Sequence, residues 1–482
     1  MTRAVKLGSV AGVVGFLAFV EFTSGILQGY YTPLLTDIAR HLGIHDADVN
    51  WFEGSQLMLS ALVVPALAKL GDMVGHRRML LVSLGVTAVA SVALAFADDF
   101  WLFLGAWALQ GFYVVWLPLE IALIWSRSRG SGAPAAMTRR AAGLLVAALE
   151  VGAIAGALTA GQLADALPLT VILIVPAIAV IACFFVVLFG VKESPDLTGG
   201  RFDTGGLVLI SLALLALTGG LSLLRINGAG DLFSWAIVVL GVALVVPFVL
   251  FELRQHDPLI DVRMFRSSAL WPVFLTAGLF GVSVLGAQAP LSTFARTDAA
   301  TYGYGLSASS GQTSILIGAY VLSLVVGALL FPVATRFVAP RVALIAASLL
   351  VALGYLLFLP FHADYAQVLL NMVIAGIGSG ALVAALPAAA AAAAPPTQTG
   401  VATGLTNSVK TVGGAVASCV FGIALLSHAG SEAASGTAGS LSGYFTVWTV
   451  CGVTALVAAV CLVFVPKLAF ADAPEAEPAA VR

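Results

Sequence analysis

Fourteen runs of about twenty apolar residues, separated by short polar breaks, fill almost the whole 482-residue chain. A helix rises 1.5 Å per residue, so about 20 residues cross a hydrocarbon core about 30 Å thick. Soluble cores do not repeat that length so often. The pattern predicts helical spans at 8–32, 49–69, 79–97, 100–125, 141–163, 168–191, 204–225, 232–253, 269–294, 312–335, 341–361, 365–387, 400–427 and 443–466. The first run carries Glu21 at its centre and has no small-residue cleavage site, so it reads as a span and not as a leader.

The polar breaks have a sidedness. With the N-terminus in the cytoplasm, eighteen of the 22 lysines and arginines fall on the cytoplasmic side. Arg40, Arg225 and Arg296 fall outside, together with Asp37, Asp46, Asp48, Asp98, Asp99, Asp231, Asp298 and Asp364. Basic loops stay inside, so both termini are expected in the cytoplasm and the chain in the inner (cell) membrane. Composition agrees: 60% of residues are hydrophobic and 10% charged, where soluble domains carry about 25% charged residues. A net charge of −2 gives no reason to expect a nucleic-acid partner. The four cysteines lie inside apolar runs without metal-ligand spacing, and His41 with His45 sits in a loop that is polar anyway. No Walker sequence is present, and no metal or cofactor is expected.

The sharpest local pattern is Ala68-Lys-Leu-Gly-Asp72-Met-Val-Gly75-His-Arg77-Arg78, between spans 2 and 3. Gly75 permits a tight reversal. Asp72 can face the positive end of a helix, and Arg77 and Arg78 can pair with acids of other cytoplasmic loops. Such a cluster suits a cytoplasmic gate that latches two helix bundles together.

This loop resembles that of the major facilitator superfamily, Gly-x-Leu-x-Asp-Arg-x-Gly-Arg-Arg, matching at Leu70, Asp72, Gly75 and Arg77. Phe202-Asp203-Thr-Gly205-Gly206 and Phe251-Glu252-Leu-Arg254 resemble the segments that open and close the central helix pair of its fourteen-span drug:proton antiporter branch. Gly400-Val-Ala-Thr-Gly404-Leu-Thr-Asn407-Ser-Val-Lys410 resembles the start of span 13. The resemblance covers essentially the whole chain. It implies an all-α integral membrane protein of the major facilitator fold. Two six-helix bundles, 1–195 and 263–467, would flank an inserted pair, 196–262, and precede a disordered tail, 468–482. Where the antiporters carry an arginine in span 4, this chain has Trp107, followed by the matching Gln110 and Gly111. In span 5 the antiporter proline is Ala157, although Gly152, Gly156 and Gly161 remain for close helix approach.

The charges read as intramembrane are Glu21, Glu120, Glu150 and Lys410. Each costs roughly 2.5–3.5 kcal/mol or more at the bilayer centre, which marks it as functional by default. A carboxyl is costlier to ionise there, which suits it to taking up and releasing protons. The acids are therefore candidates for proton coupling, with Lys410 as the intramembrane cation that can neutralise one of them. Each also has a plainer role as a structural carboxyl bonded to a neighbouring helix. Trp107, Gln110, Tyr113, Trp116 and Asn407 are candidates to line a substrate cavity, since aromatic walls with sparse polar groups suit amphipathic ligands. The expected activity is proton-coupled export of amphipathic small molecules by alternating access, by a monomer in the bilayer. A lipid or metabolite carrier of the same fold without that coupling is the rival reading. An integral-membrane transferase would need Asp, His and Arg clustered at one membrane face, and no such cluster occurs.

Overall fold

The computed structural model describes residues 7–128, 134–164, 166–193, 201–394, 399–426 and 437–464, and these are helical and loop throughout, without strands. The tail expected at 468–482 lies outside them. Fourteen helical segments among the described residues are long and apolar enough to cross a membrane. Spans 1 to 6 are Val13–Leu42, Asp46–Val74, His76–Ala95, Phe100–Ser128, Arg140–Ala164 and Leu169–Gly190. Spans 7 and 8 are Thr204–Asn227 and Leu232–Glu252. Spans 9 to 14 are Trp271–Arg296, Ser310–Ala334, Pro340–Leu357, Tyr365–Ala393, Val401–Leu426 and Leu441–Val463.

Three spans are interrupted where the apolar pattern reads as continuous or finished. Span 1 is a helix Leu7–Tyr30, a 3-10 turn Thr32–Leu34 and a second helix Leu35–Leu42. Pro33 lies in the turn, where its fixed φ is accommodated, so the chain runs about ten residues beyond the expected end at 32. Span 4 passes through a 3-10 segment, Gly111–Val115, between helices Phe100–Gln110 and Trp116–Ser128. Span 9 breaks between Val284 and Gln288. A short 3-10 stretch inside a helix often marks a hinge, and broken spans often mark binding sites in transporters.

Spans 1–6 and 9–14 each enclose their own core. One runs from Val13 to Val191, with Trp107, Trp116 and Cys183 inside it. The other holds Phe274, Phe294, Phe358, Tyr444 and Trp448. Lipid is as apolar as these side chains, so close packing decides which helices cross. Spans 1 and 5 cross through interleaved glycines. A Cβ at Gly25 would overlap the Leu149 carbonyl, and one at Gly152 the Phe22 carbonyl. Span 7 lies over the seam between the halves, placing Leu214 among Leu57, Met58 and Ala61 of span 2 and Ala415 of span 13.

Candidate functional site

The two halves meet along two pairs of spans. Spans 2 and 13 touch where Gly54 faces the Cys419 sulfur and Gly422 faces Asn50 and Trp51. Spans 5 and 10 touch where Gly161 faces Ser310 and Ser314. These contacts lie toward the end of the bundle that carries the acidic loops. The same end holds direct polar bridges between the halves. Arg296 of span 9 pairs with Asp37 of span 1 at 2.5 Å, and Ser310 Oγ donates to the same carboxylate at 2.9 Å. Ser292 Oγ donates to the Thr32 carbonyl at 2.5 Å. Nearby, Arg225 of span 7 pairs with Asp48 at 2.5 Å and lies over the Trp51 and Phe100 rings, 5.8 and 5.6 Å from their centroids.

Within spans 5 and 13, one in each half, lie Glu150 and Lys410. Glu150 is on span 5, whose Gly152 and Gly156 face span 1 and whose Leu158 and Gly161 face span 10. Lys410 is on span 13, and the charges of the two residues act on each other across the seam. Both are half-buried. Tyr320 of span 10 lies within electrostatic reach of Glu150. Asn407 is half-buried one helical turn before Lys410 on span 13.

Glu21 and Glu120 form a second, separate centre inside the first half. Both are 0% exposed, and all four carboxyl oxygens lack a hydrogen-bond partner. Glu120 lies within electrostatic reach of Glu21, and Cys183 of span 6 lies within reach of both and beside Thr23. A buried polar group without a partner costs free energy.

The aromatic candidates divide. Trp107 is buried within the first half, stacked on Phe52 at 5.5 Å and beside Tyr31 at 5.0 Å. Gln110 donates to the Tyr31 hydroxyl and to Ser91 Oγ, both at 2.9 Å. Trp116 is fully buried and donates from Nε1 to Ser83 Oγ at 2.8 Å. These three occupy the interior of the first half and not a wall between the halves. Tyr113, at the 3-10 break of span 4, lies beside Gln28, which is exposed, and Glu53, which is half-buried. Glu53 is absent from the sequence-derived candidates although it lies within a predicted span.

At the basic end, Gly75 takes φ +125°, and a Cβ there would run into the Glu193 carboxyl group. That carboxylate accepts the backbone N–H groups of Arg77 at 2.9 Å and Arg78 at 3.1 Å, capping the first turn of span 3 from the end of span 6. The Arg77 guanidinium donates to the Leu188 carbonyl at 2.7 Å, and Asp72 pairs with His76 at 3.1 Å. The motif is thus tied to span 6 of its own half through Glu193, a second residue the sequence reading passed over.

Two six-span halves that meet along a seam, with an inserted pair of spans beside it, make a membrane-spanning helical architecture. Residues 17–304 and 292–480 match the pattern of the Major Facilitator Superfamily, and the chain belongs to that family. The cephamycin export protein CmcT of Amycolatopsis lactamdurans is 28% identical over 422 residues, covering 86% of this chain and 84% of that one. The multidrug efflux pump LfrA of Mycolicibacterium smegmatis is 26% identical over 369 residues, covering 76% and 71%. Among solved structures, the fold resembles a POT family transporter in complex with 5-aminolevulinic acid (TM-score 0.67, 17% identity, 94% of this chain and 96% of that one). It also resembles the nucleoside transporter NupG (TM-score 0.64, 13% identity, 95% and 98%).

Proposed function

We propose that this protein exports amphipathic small molecules across the cell membrane in exchange for protons, by alternating access and as a monomer. The printed names of its relatives, export of cephamycin and multidrug efflux, support the direction and the kind of cargo. The observation that carries the coupling is the pair of fully buried, unpartnered carboxyls, Glu21 and Glu120. With the basic end in the cytoplasm, the bridges at Asp37 and Asp48 close the outer face. The cargo enters between the halves beside Glu150, Lys410 and Asn407. Asp72, Gly75, Arg77 and Arg78 form the cytoplasmic gate when the halves rock the other way. The inserted pair, spans 7 and 8, stays with the seam. Transport, with no covalent chemistry and no cofactor, is the whole activity.

A second reading, carriage without protons, is favoured by Trp107 standing where the antiporters hold an arginine. One experiment separates the two. Purified protein in proteoliposomes is assayed with and without an imposed pH gradient, alongside Glu21→Gln, which mimics the protonated carboxyl permanently. Under the antiport reading the variant binds substrate and loses gradient-driven accumulation. Uphill transport by Glu21→Gln with unchanged pH dependence removes Glu21 from the coupling. Wild-type transport indifferent to the gradient removes proton exchange altogether.

A further inference from the structure

The segments that open and close the inserted pair of spans meet at its basic end. A Cβ at Gly205 would run into the Phe251 ring. A Cβ at Gly206 would lie 2.4 Å from Glu252 Oε1 and 2.7 Å from Asp203 Oδ2, so the two carboxylates converge on one point that only a glycine leaves open. Asp203 caps span 7, its Oδ1 accepting the Gly206 N–H at 2.8 Å. Glu252 ends span 8 and is 1% exposed. Asp203 Oδ2 and both Glu252 oxygens are buried without a hydrogen-bond partner. The charges of Asp203 and Asp261 both act on Glu252. Among the described residues the Arg263 guanidinium, 3.9 Å from Asp261, forms an ion pair with neither Asp203 nor Glu252. Three carboxylates thus stand against one guanidinium. Asp203 is half-buried and Thr204 exposed, so the cluster borders water on one side.

We propose that Asp203 and Glu252 bind a divalent cation of the magnesium class at the foot of the inserted pair. Hard cations take carboxylate oxygens, and magnesium is held by one or two carboxylates while keeping several of its waters. The two carboxylates supply the protein ligands on the buried side, and the exposed side at Thr204 leaves room for the waters. Like charges brought together away from water repel, and a cation between them turns that repulsion into two attractions. The ion ties the first turn of span 7 to the last turn of span 8, closing their hairpin at the end opposite its loop. Its role is structural. The site belongs to neither half and stands apart from the export reading.

The probe is manganese(II), which shares magnesium's octahedral oxygen chemistry. The electron paramagnetic resonance signal of free manganese counts the ions bound by the full chain in phosphatidylcholine nanodiscs, against empty nanodiscs. The wild type is expected to take up one ion that excess magnesium displaces. Glu252→Gln and Asp203→Asn are each expected to weaken binding about tenfold or more. Asparagine still caps a helix, so the Asn variant keeps the start of span 7. A second readout leaves both carboxylates in place and decides the matter even where a variant fails to fold. With the four native cysteines replaced, a fluorine label on Thr204→Cys should be broadened by the bound manganese, and one on Ser442→Cys in span 14 should stay sharp. Wild-type binding no tighter than that of Glu252→Gln overturns the proposal and leaves the pair sharing a proton. Weakening in only one of the two variants overturns the shared site. A Thr204 label that stays sharp puts any bound ion elsewhere and overturns it too.

Discussion

The two halves of the molecule share a scaffold and differ in chemistry. In the first half, spans 1 and 5 cross through Gly25, Gly29, Gly152 and Gly156, with backbone against backbone. In the second half, spans 9 and 13 do the same: a Cβ at Gly281 would overlap the Lys410 carbonyl, and one at Gly413 the Gly278 carbonyl. The charges do not repeat. Glu21, Glu53, Glu120 and Glu150 all lie in spans 1–5, while spans 9–14 contain no acid and carry Arg296, Arg341 and Lys410 as their basic residues. Close helix crossing is a geometric need of both halves, so both have it. The acids do not follow that geometric need, so they are confined to one half.

The most damaging way to test the shared scaffold is to fill its crossings. Gly152→Leu and Gly281→Leu are each expected to cut the yield of monodisperse protein by about tenfold or more, because the displaced atoms are backbone carbonyls that cannot yield. Gly219→Leu, where a Cβ meets nothing within 4 Å, should leave the yield near wild type. Size-exclusion profiles at matched expression decide this. A tolerant Gly281→Leu would show that the second half does not depend on its crossing as the first does.

The division of charge is tested next. Lys410→Ala removes the cation within electrostatic reach of Glu150, and a lone charge at bilayer depth costs roughly 2.5–3.5 kcal/mol. The transport rate should fall about tenfold, and adding Glu150→Gln should restore part of the loss because the two residues act as a unit. Additive losses in the double variant would mean that the second half does not serve as counterion to the first.

Much of this arrangement was legible in the sequence, and the failures have physical causes. Span length is set by the bilayer, so all fourteen spans stand out at about twenty residues. The continuation of span 1 to Leu42 was hidden because Thr32-Pro33 reads as a terminus, although a 3-10 turn accommodates the proline. Glu53 was hidden because it follows Asp46 and Asp48 and looks like part of a polar entry to span 2. The sequence also carries no information on which way an aromatic side chain of span 4 points. Trp107 and Trp116 pack inward, and only Tyr113, at the 3-10 break, comes beside Glu53. Glu193 sits at the end of span 6, and nothing local reveals that it caps a helix 116 residues earlier.

The bridges that hold the halves together at the acidic end give a smaller effect. Arg296→Ala removes the ion pair to Asp37, a partly buried contact with side chains 10% and 26% exposed. Such a pair is worth about 1 kcal/mol, so the population open at that end should rise about fivefold. The readout is the external labelling rate of a cysteine at Gln28, in a background with the four native cysteines replaced. An unchanged rate would show that the helix contacts alone keep this end closed.

The smallest expected effect compares the starts of two matching helices, span 3 in the first half and span 11 in the second. Span 3 begins at His76 after Gly75, with no side chain of its own as cap, and relies on Glu193 of span 6 for the N–H groups of Arg77 and Arg78. Span 11 begins at Pro340, also with no side-chain cap, and relies on a residue that lacks an N–H and whose φ is already helical. Glu193→Ala strands two donors at a positive helix end and should cost about 1–2 kcal/mol, read as a lower melting temperature of the purified protein. Pro340→Ala adds a donor at a solvent-facing end and should cost less than about 1 kcal/mol. Glu193→Gln keeps an acceptor and loses the charge, so it should fall between the wild type and Glu193→Ala. If Glu193→Gln melts with Glu193→Ala, the charge at the helix end carries the cap. If it melts with the wild type, the hydrogen bonds do. A Glu193→Ala protein that melts like wild type removes the cap from the account of the first half, leaving the glycine crossing of spans 1 and 5 as its main restraint.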